Sequence, residues 1–312
     1  MNWHIKNTIY QMRYYQFKTF TTSYFFPDID SRLQYMYGLY SPYGGGLSKV
    51  YWSLFKKFKF VRMFTCVKED SMGFPYRLIR NFAGNDSLLS FNMGSPSVEQ
   101  KISMLGWNEA EHKRFFAKFS QKPAARTLTK NETKVYQVLD GTGLTPRLLN
   151  SKSTDDYEFI MTEYVEGRRP EDRYMNKRAL ELAIKLSNYH LGDVSHDVEL
   201  LTCLSHGDFC PWNILVNGDQ WNLIDWEVAA ERPLGFDLFT YICQVSALFE
   251  KEKPLSIAIQ ENRDFIDRYF EGRHTTDWKG YLKWFVEEKV RYESSKGDSK
   301  LLRKYKELLY EI

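Results

Sequence analysis

Three side chains in one short stretch, His206, Asp208 and Asn213, stand in the spacing H-x-D-x-x-x-x-N within LSHGDFCPWNILVNGDQWNLIDWE, residues 204–227. A fourth, Asp225, ends an apolar strand that follows a turn at Asn217-Gly218-Asp219. These types suit phosphoryl transfer. Within one loop Asp208 can face an attacking hydroxyl while the amide oxygen of Asn213, further along, ligates a divalent ion. Magnesium takes hard oxygen ligands, commonly one or two carboxylates plus substrate phosphates, and Asn213 with Asp225 offers such a set. Leu215-Val216 and Trp221 to Ile224 flank the turn and read as a hairpin that carries Asp225 back to the loop. The reaction itself asks for positioning, charge neutralisation and an oriented nucleophile rather than covalent catalysis.

HGDFCPWN followed by IDWE resembles the catalytic loop and metal-binding segment of the aminoglycoside phosphotransferase and choline kinase group, small-molecule kinases with a protein-kinase-like fold. The resemblance covers residues 90 to 245 and is strongest at 204–227. It implies Asp208 as the catalytic residue, Asn213 and Asp225 as metal ligands, Mg2+ as the metal, and ATP as the nucleotide with GTP as the alternative. It also implies that His206 braces the metal segment and that Asp237, in LGFDLFTY, holds backbone. Two departures from protein kinases point to a small-molecule or glycan acceptor. Cys210 stands where their loop carries a lysine, and Asp225-Trp226-Glu227 replaces Asp-Phe-Gly. A part for Glu227 in binding metal or substrate stays open.

Upstream, the order of elements matches a kinase small lobe. SLLSFNMGSPSVEQKISML places Gly94-Ser95-Pro96-Ser97 between two apolar segments, as a phosphate-covering loop in which Gly94, Ser95 and Ser97 approach the nucleotide and Pro96 donates nothing. Lys118, in the strand FFAKFS, resembles the family's phosphate-binding lysine, and Glu132, in the helix of ARTLTKNETKVYQVLDG, its partner. Leu128, Val135, Val138 and Leu139 outline that helix, and Gly141 ends it. Glu163-Tyr164-Val165 corresponds to the interlobe hinge, whose backbone pairs with adenine. The expected fold is therefore α+β and two-lobed, a small antiparallel sheet lobe over 86–165 and a mainly helical large lobe over 166–312. Residues 1–85 are expected as an aromatic-rich, partly helical N-terminal extension.

That extension is crowded with rings, Tyr10, Tyr14, Tyr15, Phe17 and Phe20 among them, and is broken at Phe26-Pro27-Asp28 and Pro42-Tyr43-Gly44-Gly45-Gly46. In LSKVYWSLFKKFKFVRMF, Tyr51, Leu54, Phe55, Phe58 and Val61 recur at helical spacing beside Lys49, Lys56, Lys57, Lys59 and Arg62, which reads as one basic amphipathic helix. Either its apolar face packs on the body or it attaches peripherally to an anionic membrane surface. In the large lobe, KRALELAIKLSNYHLG is expected as a helix ending at Gly192, with His190 structural and without a partner. The later segments look helical, with their mixed charges on solvated faces.

The totals exclude some classes. With 43 basic and 40 acidic residues the net charge is +3, too small for a polyanion-binding surface, so no nucleic-acid partner is expected. The four cysteines, Cys66, Cys203, Cys210 and Cys243, lack paired or metal-ligand spacing, which fits a reduced, cytoplasmic setting. Lys6, Gln11 and Arg13 interrupt any secretory apolar run, and no uncharged apolar stretch approaches a membrane span. The reading is an ATP-dependent kinase of a hydroxyl on a small molecule or glycan. Its rival is a non-catalytic nucleotide-binding scaffold. Aminoglycoside, choline, ethanolamine, amino-sugar, sugar and lipid-linked glycan acceptors all stay open, as does the oligomeric state.

Overall fold

The computed structural model describes residues 13–28, 31–41, 46–68, 72–192, 200–271, 273, 275 and 277–312. Expectations for Tyr10 and for the break at Pro42-Tyr43-Gly44-Gly45 lie outside the described residues. The chain divides into two compact units, one made of 1–130 and 148–164, the other of 131–147 and 165–312.

The first unit is an eight-stranded antiparallel sheet of strands β1 (Arg13–Lys18), β2 (Ser23–Pro27), β3 (Cys66–Lys68), β4 (Ser87–Asn92), β5 (Ile102–Asn108), β6 (Lys113–Ser120), β7 (Leu148–Ser153) and β8 (Glu158–Glu163), in the order β3-β1-β2-β4-β5-β6-β8-β7. Helices α1 (Gly46–Lys57), α2 (Lys59–Met63) and α3 (Tyr76–Ala83) belong to it, and α4 (Pro123–Val138) begins in it. The expected boundary at residue 85 is thus corrected. Three strands from the N-terminal segment extend the same sheet, β2 pairing β4 through Tyr24↔Asn92 and Phe25↔Phe91.

The rings explain why. Successive side chains of a strand point to opposite faces. Tyr14 and Phe25 fall in one core with Phe91, Met104, Phe115 and the α3 residues Tyr76 and Ile79. Tyr15, Phe17, Tyr24 and Phe26 fall in a second core with Leu105, Met36 and the α1 residues Trp52 and Phe55. Both faces are covered, so polar and apolar residues do not alternate and the strands are hidden from a period-two search.

The expected single helix over 47–64 is two, broken at Phe58, which is extended (φ −112°, ψ 110°). Its buried face also differs. Trp52 and Phe55 face the core, whereas Tyr51, Leu54 and Phe58 are exposed. Arg62 is buried, hydrogen-bonded to the Tyr37 hydroxyl and 5.4 Å from the Tyr15 ring centre.

In the second unit β9 (Thr202–Ser205) pairs β12 (Ala230–Pro233), and β10 (Ile214–Asn217) pairs β11 (Gln220–Leu223) in a hairpin closed by Gly218-Asp219. The helices are the end of α4, then α5 (Lys177–Leu186), α6 (Phe236–Phe249), α7 (Leu255–Glu261), α8 (Arg263–Glu271), α9 (Trp278–Ser295) and α10 (Lys300–Glu311). Asn176 caps α5, its side chain accepting from the N–H groups of Arg178 and Ala179. The helix stops at Leu186, short of the expected Gly192. His190 lies beyond it and has a partner after all, its Nδ1 being 2.7 Å from Glu231 Oε1. On α9 the charged Lys289 and Glu293 share the buried face with Phe285 and Val286, against the expectation that such charges are solvated.

Candidate active site

The residues that could do chemistry in the second unit sit on a tightly tied loop between β9 and β10. A single-turn 3-10 helix, Pro211–Asn213, follows Cys210, and its tight turn brings Asn213 back under Asp208. The Asn213 Nδ2 donates to the Asp208 carbonyl at 2.9 Å and to its Oδ2 at 2.8 Å. Cys210 Sγ lies 3.6 Å from Asp208 Oδ1 as a donor. Burial, reinforced by the Asp208 charge, pushes the Cys210 thiol well above its usual range, so it stays protonated and keeps that role. Both carboxylate oxygens of Asp208 are therefore oriented. With its amide nitrogen on Asp208, Asn213 has Oδ1 left to meet a cation.

His206 joins this loop to the metal segment. Its Nδ1 accepts the Asp208 N–H at 3.3 Å, its Nε2 donates to the Ile224 carbonyl at 3.0 Å, and its ring lies 4.5 Å from that of Trp226. The two bonds together place the ring proton on Nε2. Trp226 is fully buried, and its indole N–H reaches Thr145 Oγ1 and the Leu223 carbonyl, both at 3.2 Å. Between these anchors Asp225 adopts a left-handed backbone, φ 71°. Outside glycine that region is uncommon and is populated most readily by Asn and Asp.

Asp237, at the start of α6, holds backbone as expected. Its Oδ2 accepts the His206 N–H at 2.7 Å; its Oδ1 accepts the Gly207 N–H at 3.0 Å and the Ser205 hydroxyl at 2.8 Å. Gly207 is at φ 83°, and a Cβ there would stand 2.5 Å from the Val228 carbonyl oxygen, so only glycine fits between the loop and the chain after Glu227. Asp237→Ala would leave two buried donors, the His206 N–H and the Ser205 hydroxyl, without an acceptor and the Gly207 N–H with Ser205 Oγ alone, at roughly 1–3 kcal/mol for each lost partner. The expected result is a lower thermal unfolding midpoint, read by calorimetry, with turnover falling in parallel.

The carboxylates of Glu132, Asp225 and Glu227 offer oxygens that all lie within 4.8 Å of one another. Glu132, expected as the partner of Lys118, lies on the second-unit part of α4, and its carboxylate belongs to this cluster. Its neighbour Asn131 clamps the metal segment, its Nδ2 donating to the carbonyls of Glu227 at 3.0 Å and Ala229 at 2.8 Å. Three close carboxylates form a hard-oxygen donor set that fits a divalent ion.

Two cations beside the loop escaped sequence reasoning. Arg232 on β12 donates from Nη2 to the Val228 carbonyl at 3.0 Å, and its Nη1 is buried without a hydrogen-bond partner. Lys289 on α9 shares the Phe236 ring with it, the Arg232 guanidinium carbon 4.6 Å and the Lys289 Nζ 4.8 Å from the ring centre. Burial lowers the Lys289 pKa and Arg232 lowers it further, while Cys210, Asp208 and Asp237 act against both. The only signal in the sequence is a lysine at the apolar spacing of α9.

In the first unit Lys118 is 6% exposed on β6, opposite Ser103 and Ile160. The Gly94–Ser97 loop joins β4 to β5, the Gly94 N–H bonded to Asn92 Oδ1 at 3.0 Å and the Ser97 carbonyl accepting from Lys122 Nζ at 2.6 Å. A Cβ at Gly94 (φ 66°) would stand 2.5 Å from the Lys101 carbonyl oxygen. Glu163 closes β8. The Tyr164 N–H donates to the Arg114 carbonyl at 3.3 Å, so of the expected hinge groups this one is already used.

The sequence model of the phosphotransferase enzyme family matches residues 195–283. No curated protein matches the chain in sequence at a significant level. Among solved structures, an aminoglycoside-3'-phosphotransferase of type VIII is 16% identical, covering 65% of this chain and 88% of its own, with a TM-score of 0.41. The ethanolamine kinase of Plasmodium vivax is 10% identical over 86% of this chain and 88% of its own, TM-score 0.45. Amicoumacin kinase, in complex with AMP-PNP, Ca2+ and Ami, is 10% identical over 68% of this chain and 86% of its own, TM-score 0.47. From before the catalytic loop into α9, the chain is thus similar to the phosphotransferase enzyme family.

Proposed function

We propose that this chain is an ATP-dependent phosphotransferase that moves the γ-phosphate to a hydroxyl of a small molecule or a glycan. One observation carries the reading: the Asp208 carboxylate is oriented by Asn213 and Cys210 in a loop that His206 ties to the Asp225 segment, within the stretch that matches the phosphotransferase family. Asp208 orients the acceptor hydroxyl and takes its proton. Asn213 and Asp225 hold magnesium, and the acidic cluster adds Glu227 and Glu132 as further candidate ligands. When bound, that ion neutralises charge on the nucleotide phosphates. In the first unit Lys118 contacts those phosphates, the backbone around Gly94, Ser95 and Ser97 covers them, and Glu163 and Val165 meet the base.

Lys289 supplies positive charge to the catalytic loop from α9, where Cys210 leaves the loop without a lysine of its own. Lys289→Met keeps the bulk and removes the charge. Turnover is expected to fall roughly tenfold or more, while the unfolding midpoint holds or rises because a buried cation has gone. Unchanged turnover would show that the charge is not used in the reaction.

The test of the whole reading is a panel of hydroxylated acceptors assayed for ADP release with magnesium, and again with a chelator. Acceptor-dependent release that the chelator abolishes supports the kinase. Nucleotide binding without any release across the panel supports the scaffold.

A further inference from the structure

We propose that the α1–α2 surface of the first unit docks on an anionic lipid bilayer. Helix α1 carries two apolar faces where the fold uses one. Trp52 and Phe55 are buried in the sheet core, and a separate stripe of Leu47, Val50, Tyr51, Leu54 and Phe58 faces solvent. At 3.6 residues per turn the four helical positions, Leu47, Val50, Tyr51 and Leu54, span an arc of about 100°, a continuous ridge rather than scattered residues, and Phe58 follows at the break. The ridge continues into α2, where Phe60, Met63 and Phe64 are exposed, Phe64 at 88%. No other stretch of this length in the described residues exposes as many large apolar side chains. A patch of this kind on a folded protein marks a surface that something covers.

The charges say what covers it. Lys57 borders the ridge, Lys49 and Lys56 lie about a third of a turn beyond Val50, Lys59 opens α2, and positions 31–68 contain no Asp or Glu. Of these lysines, Lys59 is paired with Asp28 at 2.7 Å. About a third of a turn around α1 from Val50, an open cleft of about 600 Å³ is lined by Lys49, Lys56 and Trp52 and by Tyr37 and Tyr40, with the Lys56 ammonium 5.6 Å from the Trp52 ring centre. Two ammonium groups over aromatic walls suit the phosphate of a lipid headgroup. A second copy of the chain would bring like charges face to face, and a protein partner would need both an apolar groove and an acidic rim. An anionic bilayer offers both at once: acyl chains for the ridge, with its aromatic tips at the interface, and phosphates for the lysines.

The experiment is co-sedimentation of the full chain with phosphatidylcholine vesicles, with and without phosphatidylglycerol. Strong binding is expected only with the anionic lipid. Leu54→Glu and Phe60→Glu, both at exposed positions, are each expected to weaken it about tenfold, since each removes one apolar insertion and adds a repelled charge. Lys49→Gln with Lys56→Gln should erase the preference for phosphatidylglycerol, and soluble glycerol phosphate should not compete. Circular dichroism and the unfolding midpoint of each variant, unchanged, separate lost docking from lost fold. The proposal is overturned by absence of binding to the anionic vesicles, or by binding that these substitutions leave intact. Binding that free glycerol phosphate abolishes, or a dimer that Leu54→Glu dissociates without any vesicle binding, overturns it as well.

Discussion

Asp208→Asn is expected to lower turnover by about a thousandfold while leaving the nucleotide dissociation constant within a few fold of the wild type. The substitution is nearly isosteric. Asp208 holds its place through the Asn213 amide, which donates to both its carbonyl and its carboxylate, and through the His206 ring that accepts its N–H. The carbonyl and N–H bonds survive, as does the Asp237 cap on the preceding residues, so the loop keeps its shape. What disappears is the anion that takes the acceptor proton. Turnover read by ADP release and affinity read by calorimetry with a non-hydrolysable nucleotide divide the two effects. If turnover survives, Asp208 is not the base and the proposed chemistry fails; if affinity is lost as well, the loop has been disturbed and the role of the carboxylate must be read from Asp208→Glu.

The chemistry was more legible in the sequence than the scaffold. His206, Asp208, Asn213 and Asp225 stand close together in the chain, and hairpin and turn rules were enough to bring the strand before Asp225 back to the loop, as the β10–β11 pairing does. The roles of His206 and Asp237 came with the family resemblance, and the hydrogen bonds to Ile224 and to the Ser205–Gly207 backbone match them. Long-range partners were out of reach. Asn131 reaches the Glu227 carbonyl, Thr145 caps the Trp226 indole, and Lys289 comes to Phe236 from another helix. None of these pairs leaves a periodic trace. The N-terminal strands were missed because the sheet is covered on both faces. In RYYQFK and SYFFP large rings stand side by side, Tyr14 next to Tyr15 and Tyr24 to Phe26 in a row, so no clean alternation marks a face, and only the structure separates Tyr14 from Tyr15 and Phe25 from Phe26.

The exposed apolar ridge of the chain's first helices and the tied loop of the second unit reflect opposite demands. The loop is fixed by bonds to buried groups, as pre-organised catalysis requires. The ridge carries apolar side chains that stay largely exposed, Leu47 and Phe64 each at 88%, which the fold alone does not call for. Removing the ridge is expected to change localisation and leave the loop's chemistry untouched.

Asp225→Asn is the variant that reads the metal. Asp225 sits at φ 71°, a conformation that Asn adopts nearly as readily as Asp and that Ala does not, so Asn changes the charge without adding backbone strain. With the wild type, magnesium at about 100 times its dissociation constant is expected to stabilise the protein by about 2.7 kcal/mol, which raises the unfolding midpoint by roughly 5 °C. Asp225→Asn should lose most of that rise and about a thousandfold in turnover, because one carboxylate of the Glu132, Asp225, Glu227 cluster has become a neutral amide. Glu227→Gln locates the ion within the cluster. If Glu227 is a ligand, the magnesium-dependent rise shrinks there too; if the rise is intact in Glu227→Gln and gone in Asp225→Asn, the ion is held by Asp225 with Asn213. A rise that persists in Asp225→Asn would move the metal away from this segment altogether and refute Asp225 as its ligand.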